Sequence, residues 1–200
     1  SPYFHMASTV ANSALDIASR ALVLIGAEPI TSFDSSSTEA LVATNMYEDV
    51  VRASLSMARW RFATEQAELN QLSDVPTGRF DIAHQLPSDL LVLHAITVND
   101  NKIQYSVYGD KVFSNSTSSD KLIADFTYRA QEIDFPSYFT IAVEYSLASI
   151  FATAIARDDG LMQIMEKKAN VLMAQARNLD SQQQTTRRLT TSRFITDRRS

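Results

Sequence analysis

The sequence predicts an α+β fold, namely a four-helix bundle-like domain with an inserted small antiparallel β-meander and an extended C-terminal tail. Apolar residues recur at the three-and-four spacing of amphipathic helices in four segments. Between about residues 80 and 129 the pattern changes to the alternation typical of strands. We therefore expect a helical domain of residues 6–65 and 136–180, a β-rich insertion of residues 66–135 and a tail of residues 181–200.

The first two helices are expected ahead of the β-rich insertion. Ser8 or Thr9 is suited to cap the first helix, and Ser36 with Glu39 has the capping-box spacing that starts the second. Apolar residues at helical spacing continue to residue 27 in the first helix and to Phe62 in the second. The second helix is thus expected to have roughly seven turns.

The β-rich insertion is expected to contain four or five strands. Residues 99–101 (NDN) and 109–110 (GD) supply turn chemistry between apolar or alternating segments, as antiparallel hairpins require. The expected strands cover residues 80–84, 90–98, 103–107, 111–113 and 122–129.

The third and fourth helices are expected after the strands. Residues 138–155 are apolar nearly all round, with Glu144 as the only charged side chain. A helix of this kind is buried on several sides, either inside the domain or between subunits. The fourth helix has an apolar stripe from Leu161 to Ala176, and we expect it to end near Leu179.

Four aromatic residues are expected to pack in the core or between subunits, namely Trp60, Phe62, Tyr145 and Phe151. Arginines flank Trp60 on both sides along the chain, so a stacking patch for nucleic acid is the alternative for Trp60 and Phe62. Aromatic residues at the end of an amphipathic helix more often anchor a core, and packing is therefore the preferred interpretation.

The composition excludes several classes of site. The chain has no cysteine, which rules out disulfides, thiolate metal sites and cysteine nucleophiles. Its four glycines are isolated from one another, so no glycine-rich loop is available to hold a phosphate. No apolar run approaches the about 20 residues of a membrane span, and no signal peptide is expected. Residues 1–5 are interpreted as an expression remnant, with the native chain expected to begin at Met6.

Catalytic and metal-binding residues are not expected. His84 and His94 lack close partners at metal-ligand spacing, and a structural role is favoured for His94 in the middle of a strand. The acid pairs of the sequence are explained more simply as helix faces or turns than as general acids and bases. A hydrolase that uses either histidine with nearby acids stays as an alternative. The sequence thus predicts a non-enzymatic protein without a metal or a cofactor.

Residues 181–200 differ in charge from the rest of the chain. The chain has 18 basic and 23 acidic side chains, and five arginines but only one acid lie in this tail. The tail therefore carries a net charge of +4 and the preceding residues carry −9. Such a segment usually acts outside its own domain, by ordering on a partner or by binding a polyanion.

The tail is expected to dock on a partner protein. Its residues 189–196 (LTTSRFIT) alternate in a way that suits a strand added to the edge of a partner's sheet. Two alternatives remain, a solvated disordered end and a nucleic-acid-binding tail whose arginines contact phosphates. The residues expected at the partner interface are Arg187, Arg188, Leu189, Arg193, Phe194, Ile195, Arg198 and Arg199.

The order of several short motifs resembles one family of phage proteins, the tail tubular protein A family of head-to-tail adaptors in short-tailed bacteriophages. The resemblance covers nearly all of residues 11–184 and depends on the order and spacing of the motifs together. The motifs are residues 21–30 (ALVLIGAEPI), 60–64 (WRFAT), 86–91 (LPSDLL), 107–113 (VYGDKVF), 124–129 (ADFTYR) and 174–180 (AQARNLD).

The resemblance implies a structural role in the virion. It implies a ring, generally of twelve copies, between the portal protein and the tail nozzle protein at the head-to-tail interface, after assembly in the host cytoplasm. DNA would pass through the ring, and the C-terminal extension would reach the portal. No family motif fixes which residues contact the portal, so the tail residues named above are expected there from their chemistry alone. No catalytic residues are implied. The acidic body suggests in addition a lumen that repels DNA, so that the genome slides through it.

Overall fold

The computed structural model describes residues 9–73 and 78–197, with side chains described as far as Gln183. Residues 1–5, the expected expression remnant, lie outside the described residues. Helices and antiparallel strands both occur, so the predicted α+β class is confirmed. The helices are α1 (Ala14–Leu24), α2 (Thr38–Ser56), α3 (Ser137–Ala154) and α4 (Asp159–Asp197). The strands are β1 (Thr64–Glu68), β2 (Asn70–Gln71), β3 (Ile82–Gln85), β4 (Leu90–Val98), β5 (Asn101–Lys102), β6 (Ser106–Tyr108), β7 (Lys111–Ser114) and β8 (Ile123–Tyr128).

The chain divides into two compact units. The first, here called the helical unit, comprises the described residues up to Ser54 and from Ala130 onward. The second, the β-rich unit, runs from Leu55 to Arg129. Each unit has its own buried apolar residues, as described below.

Helix α1 is shorter at both ends than predicted. Its N-cap is Ser13, whose hydroxyl accepts a hydrogen bond from the Asp16 amide at 3.1 Å, so the predicted cap at Ser8 or Thr9 is wrong. The helix ends at Leu24, and the chain turns through Gly26 with a φ of 76°, a conformation that glycine adopts without strain.

Helix α2 also differs from the prediction at both ends. The hydroxyl of Ser37 accepts from the Ala40 amide at 3.1 Å, so the cap lies one residue after the predicted Ser36. The helix ends at Ser56, well before Phe62. The backbone of Trp60 is extended, and a short 3-10 turn, Arg61–Ala63, then leads directly into β1.

The strands form two antiparallel sheets of four strands each, whereas one meander was predicted. Their orders are β1-β8-β4-β5 and β2-β3-β7-β6. The prediction missed β1 and β2, because both are polar and mostly exposed and so lack the alternation that marks a half-buried strand. Strand β1 forms one edge of the first sheet. It pairs with β8, with Thr64 opposite Thr127 at one end and Glu68 opposite Ile123 at the other.

Each unit has an apolar core of its own. The core of the β-rich unit is built from inward-facing strand residues and the loops beside them, namely Leu69, Leu86, Ile96, Val112, Leu122, Ala124 and Phe126. In the helical unit the largest fully buried side chains are Ile17, Leu22, Val51, Phe139, Leu147 and Phe151. The closest helix contacts are between α3 and α4 and between α1 and α3.

Helix α4 does not end near Leu179 as predicted. It continues to Asp197 and has 39 residues. Residues 181–197 contain no glycine or proline and are rich in glutamine and arginine, so no residue that breaks a helix occurs there. The expected extended conformation of residues 189–196 is therefore wrong for this structure, because the backbone there is helical.

Candidate assembly surfaces

The C-terminal part of α4 is the first candidate surface. The residue just before this part, Asp180, is buried, and its carboxylate accepts a hydrogen bond from the Tyr138 hydroxyl of α3 at 2.9 Å. From residue 181 to residue 197 the helix adds about 25 Å at about 1.5 Å per residue. The cationic segment is thus held on a helix whose first half packs against α3.

The predicted portal-binding residues lie on this segment or beyond it. Six of them have helical backbone, and their side chains are outside the described part of the structure: Arg187, Arg188, Leu189, Arg193, Phe194 and Ile195. Arg198 and Arg199 lie outside the described residues altogether.

A groove between α3 and α4 is the second candidate surface. It has a volume of about 570 Å³, and we call it the α3–α4 groove. Its lining residues come from both helices and are mostly apolar, namely Ile141, Tyr145, Ile164, Lys167, Lys168, Val171, Leu172 and Gln175. Between 43% and 54% of the surface of Ile141, Ile164 and Val171 is exposed. An apolar patch of this kind is typical of a surface that contacts another molecule.

The four predicted packing aromatics occupy two different environments. Trp60 and Phe151 are fully buried, whereas Phe62 and Tyr145 are only partly buried. The structure brings Trp60 and Phe62 together, with ring centroids 5.9 Å apart. Tyr145 instead lines the α3–α4 groove, where the Lys168 ammonium lies 5.8 Å from its ring centroid, within the range of a cation–π contact.

An acidic turn ahead of α3 is the third candidate surface. The 3-10 turn Glu132–Asp134, here called the acidic knob, presents Ile133 with 75% of its surface exposed. The sequence had suggested only a turn here, because an isolated isoleucine between two acids has no periodicity. The sequence did not predict the α3–α4 groove either. The all-round hydrophobicity of the third helix indicated only that this helix is buried on several sides, inside the domain or between subunits.

Helix α3 also carries a buried carboxylate. Glu144 is only 8% exposed, and its Oε1 atom has no hydrogen-bond partner among the described residues. Burial raises the pKa of Glu144 from 4.5 to about 6, because the charged form loses its hydration, while the positive charge of Arg20 acts in the opposite direction. The native state therefore holds this proton more tightly than the unfolded chain does.

We expect Glu144→Gln to stabilise the protein above pH 6 and to have no such effect below pH 4.5. Since the raised pKa favours the protonated native state, the free energy of unfolding falls as the pH rises from about 4.5 to about 6, by up to about 2 kcal/mol. Glutamine resembles the neutral acid and removes this loss. Urea unfolding at pH 4.5 and pH 8 measures it, with the exposed Glu166→Gln as the control. A variant with the pH dependence of the unmodified chain would contradict this account.

The two histidines of the β-rich unit occupy structural positions. His84 is fully buried in β3, and its burial lowers its pKa below 6.5. His94 Nε2 hydrogen-bonds the Thr127 hydroxyl at 2.7 Å, and the pKa of His94 is lowered by burial and by the charge of Arg59, against the opposite effect of Asp125. Arg59 and Asp125 form an ion pair at 2.6 Å. His94 thus hydrogen-bonds a hydroxyl, and the nearby carboxylate of Asp125 is paired with Arg59.

Two further features bear on the class of protein. Within residues 9–73 and 78–183 no three histidine or acidic side chains are grouped closely enough to bind a metal ion. In the same part of the chain no helix combines the length and the hydrophobicity that crossing a bilayer requires.

Comparison with known proteins identifies the family. A family model described as tail tubular protein matches residues 15–185, which include the whole β-rich unit and most of the helical unit. A search of curated proteins gave no match. The chain therefore belongs to the tail tubular protein family and has a structural role in a bacteriophage tail.

Proposed function

We propose that this protein is a head-to-tail adaptor, a ring of about twelve copies that joins the portal protein to the tail nozzle protein and continues the DNA channel. The observation that carries the proposal is the course of α4, which packs against α3 in its first half and then continues as a cationic helical segment. Such a segment is suited to contact a partner. The protein would assemble in the host cytoplasm and act in the virion.

The C-terminal segment is the part proposed to bind the portal. Starting a helix is the unfavourable step of helix formation. The first half of α4 packs against α3 and supplies this start, so the second half needs only propagation. A segment ordered in this way has less entropy to lose when it binds. The arginine side chains then pair with portal carboxylates, to which guanidinium groups donate two hydrogen bonds at once.

The tail and the rest of the chain have opposite net charges, which supports separate roles for them. The residues ahead of the tail carry a net charge of −9, and the tail carries +4. An acidic channel wall repels the phosphates of DNA, so the genome passes without binding. In this proposal the helical unit forms the wall of the ring, and the β-rich unit is left for the nozzle or the outside.

The mass of the complex with the portal tests this proposal. The isolated chain and the chain mixed with portal rings are compared by native mass spectrometry. We expect a complex that contains multiple copies of this chain on each portal ring. A mixture that shows only free portal and free chain would overturn the proposal.

A nucleic-acid-binding protein is the second candidate, favoured only by the arginines of the tail. It predicts an affinity for DNA that falls steeply with salt, with a slope of about −0.9 per phosphate contact. The adaptor proposal predicts negligible binding to double-stranded DNA at physiological salt, because the rest of the chain is acidic. Titration of labelled DNA at two salt concentrations separates the two candidates.

A further inference from the structure

We propose that the acidic knob of one copy inserts into the α3–α4 groove of the next copy, and that this contact builds the ring. The inference rests on the proposed function, since it names the surfaces by which an adaptor of this fold meets its own copies. It assigns a partner to the two most conspicuous apolar features of the helical unit.

The knob is held in place by hydrogen bonds and by packing on both sides of Ile133. The Asp134 amide donates to the Gln131 carbonyl at 3.0 Å, and the Phe135 amide donates to the Glu132 carbonyl at 3.1 Å. On one side the Glu132 carboxylate accepts from the Tyr47 hydroxyl at 3.2 Å. On the other side the Phe135 ring packs edge-on against a neighbouring aromatic ring of α3. A knob fixed at both ends presents Ile133 without an entropic cost of ordering.

The contact of Phe135 shows how firmly the knob is anchored. Phe135 is itself 9% exposed, and its ring centroid lies 4.8 Å from that of Phe139, which is fully buried. Ile133, two residues earlier, is one of the two most exposed large apolar residues in the described part of the chain. The exposure of Ile133 is therefore a consequence of the rigid turn.

The groove is complementary to the knob in both polarity and charge. Its floor is apolar, whereas Lys167 and Lys168 on α4 are its only charged lining residues, and both are exposed. An isoleucine flanked by two acids matches this arrangement, because the apolar side chain meets the floor and a carboxylate meets the lysines. Asp134 is the exposed acid of the knob and is the expected partner of Lys168.

The contact is of the kind that generates rings. Knob and groove are different surfaces of the same helical unit, so their association is head-to-tail, and each copy keeps one knob or one groove for a further copy. A repeated head-to-tail contact closes into a ring when its rotation allows. One knob buries far less than the about 1,600 Å² of a typical stable interface, so a single contact is weak and closure supplies the stability of the whole.

The absence of cysteine from the sequence makes a direct test possible. Ile133→Cys and Val171→Cys are made in separate chains of different mass, mixed with portal rings and oxidised. We expect the disulfide between Ile133→Cys and Val171→Cys to form at least about tenfold faster than the disulfide between Val171→Cys and the exposed control Leu41→Cys. Only cysteines that face each other reach the Cβ separation of about 3.5–4.5 Å that a disulfide requires. Equal rates would overturn the knob–groove contact.

A charge exchange gives a second measurement that does not depend on disulfide geometry. Asp134→Lys alone is expected to reduce the number of copies assembled on the portal, and Asp134→Lys combined with Lys168→Glu in one chain is expected to restore it. Failure of the double variant to restore assembly would contradict the inference. If the unmodified chain binds the portal and no preferential cross-link forms, the inference alone fails. If the cross-link forms and portal binding is absent, the proposed docking on the portal fails.

Discussion

A chain truncated after Gln183 is expected to remain folded and to lose at least about 100-fold in affinity for the portal. A contact of about 1.4 kcal/mol corresponds to a tenfold change in affinity, so the loss of two such contacts is enough for a roughly 100-fold decrease. The cut leaves the Tyr138–Asp180 hydrogen bond and the packing of α4 against α3 in place. It removes only the segment that the adaptor proposal assigns to the portal. Surface plasmon resonance on immobilised portal rings measures the affinity, and circular dichroism measures the fold.

A substitution series distinguishes charge from side-chain shape in the same segment. Replacing Arg187, Arg188 and Arg193 together by lysine keeps the charge but removes the planar fork that donates two hydrogen bonds to one carboxylate. We expect an intermediate loss of affinity for this variant and a full loss for the corresponding glutamate variant. Undiminished binding by the truncated chain would show that the portal contacts another part of the protein.

The second large effect is expected in the core of the helical unit. Phe151→Ala should lower the free energy of unfolding by about 3–5 kcal/mol, because it removes a fully buried ring from α3 and leaves a cavity. A loss of this size is a large part of the about 5–15 kcal/mol that stabilises a typical domain. Urea denaturation followed by circular dichroism measures it.

Tyr145→Ala on the same helix is the matched comparison for Phe151→Ala. Tyr145 is only partly buried and lines the α3–α4 groove, so we expect its removal to cost of the order of 1 kcal/mol. We expect in contrast a clear loss of copies assembled on the portal, because the groove loses one wall. Equal destabilisation by both substitutions would mean that the groove is part of the core. A cost below about 1 kcal/mol for Phe151→Ala would contradict the core assignment.

The sequence predicts the regular elements well where long segments are rich in apolar residues. The strand expected at residues 90–98 is observed as β4, Leu90–Val98, and the helix expected at residues 138–155 is observed as Ser137–Ala154. Both segments are long runs rich in large apolar side chains, and the length of such a run, together with the turn residues that bound it, indicates the type of element.

The predictions fail where the structure depends on partners distant in the sequence. Strand β1 has the sequence TEQAE and is mostly exposed, so its pairing with β8 is visible only in the fold. Helix ends were also misplaced, because several serines compete as caps and the one that bonds an amide is chosen by tertiary context. The helical end of α4 was not predicted because threonine, phenylalanine and isoleucine near the C-terminus favour strands, although no helix breaker occurs there.

The candidate surfaces show the same division. The cationic tail is evident from composition alone, whereas the groove needs residues from two helices that are separated in the chain, such as Ile141 and Val171. An apolar residue at helical spacing can lie in the core or on the surface, because much of a folded protein's surface is apolar. Only the structure distinguishes the apolar residues that face the core from those left exposed for a partner.

Electron cryo-microscopy of this chain bound to its portal tests the central claim most directly. We predict a closed ring of this protein in which the C-terminal part of α4, from residue 181 onward, lies in contact with the portal. A reconstruction in which the portal contacts the β-rich unit, while the C-terminal part of α4 contacts no portal residue, would contradict the claim.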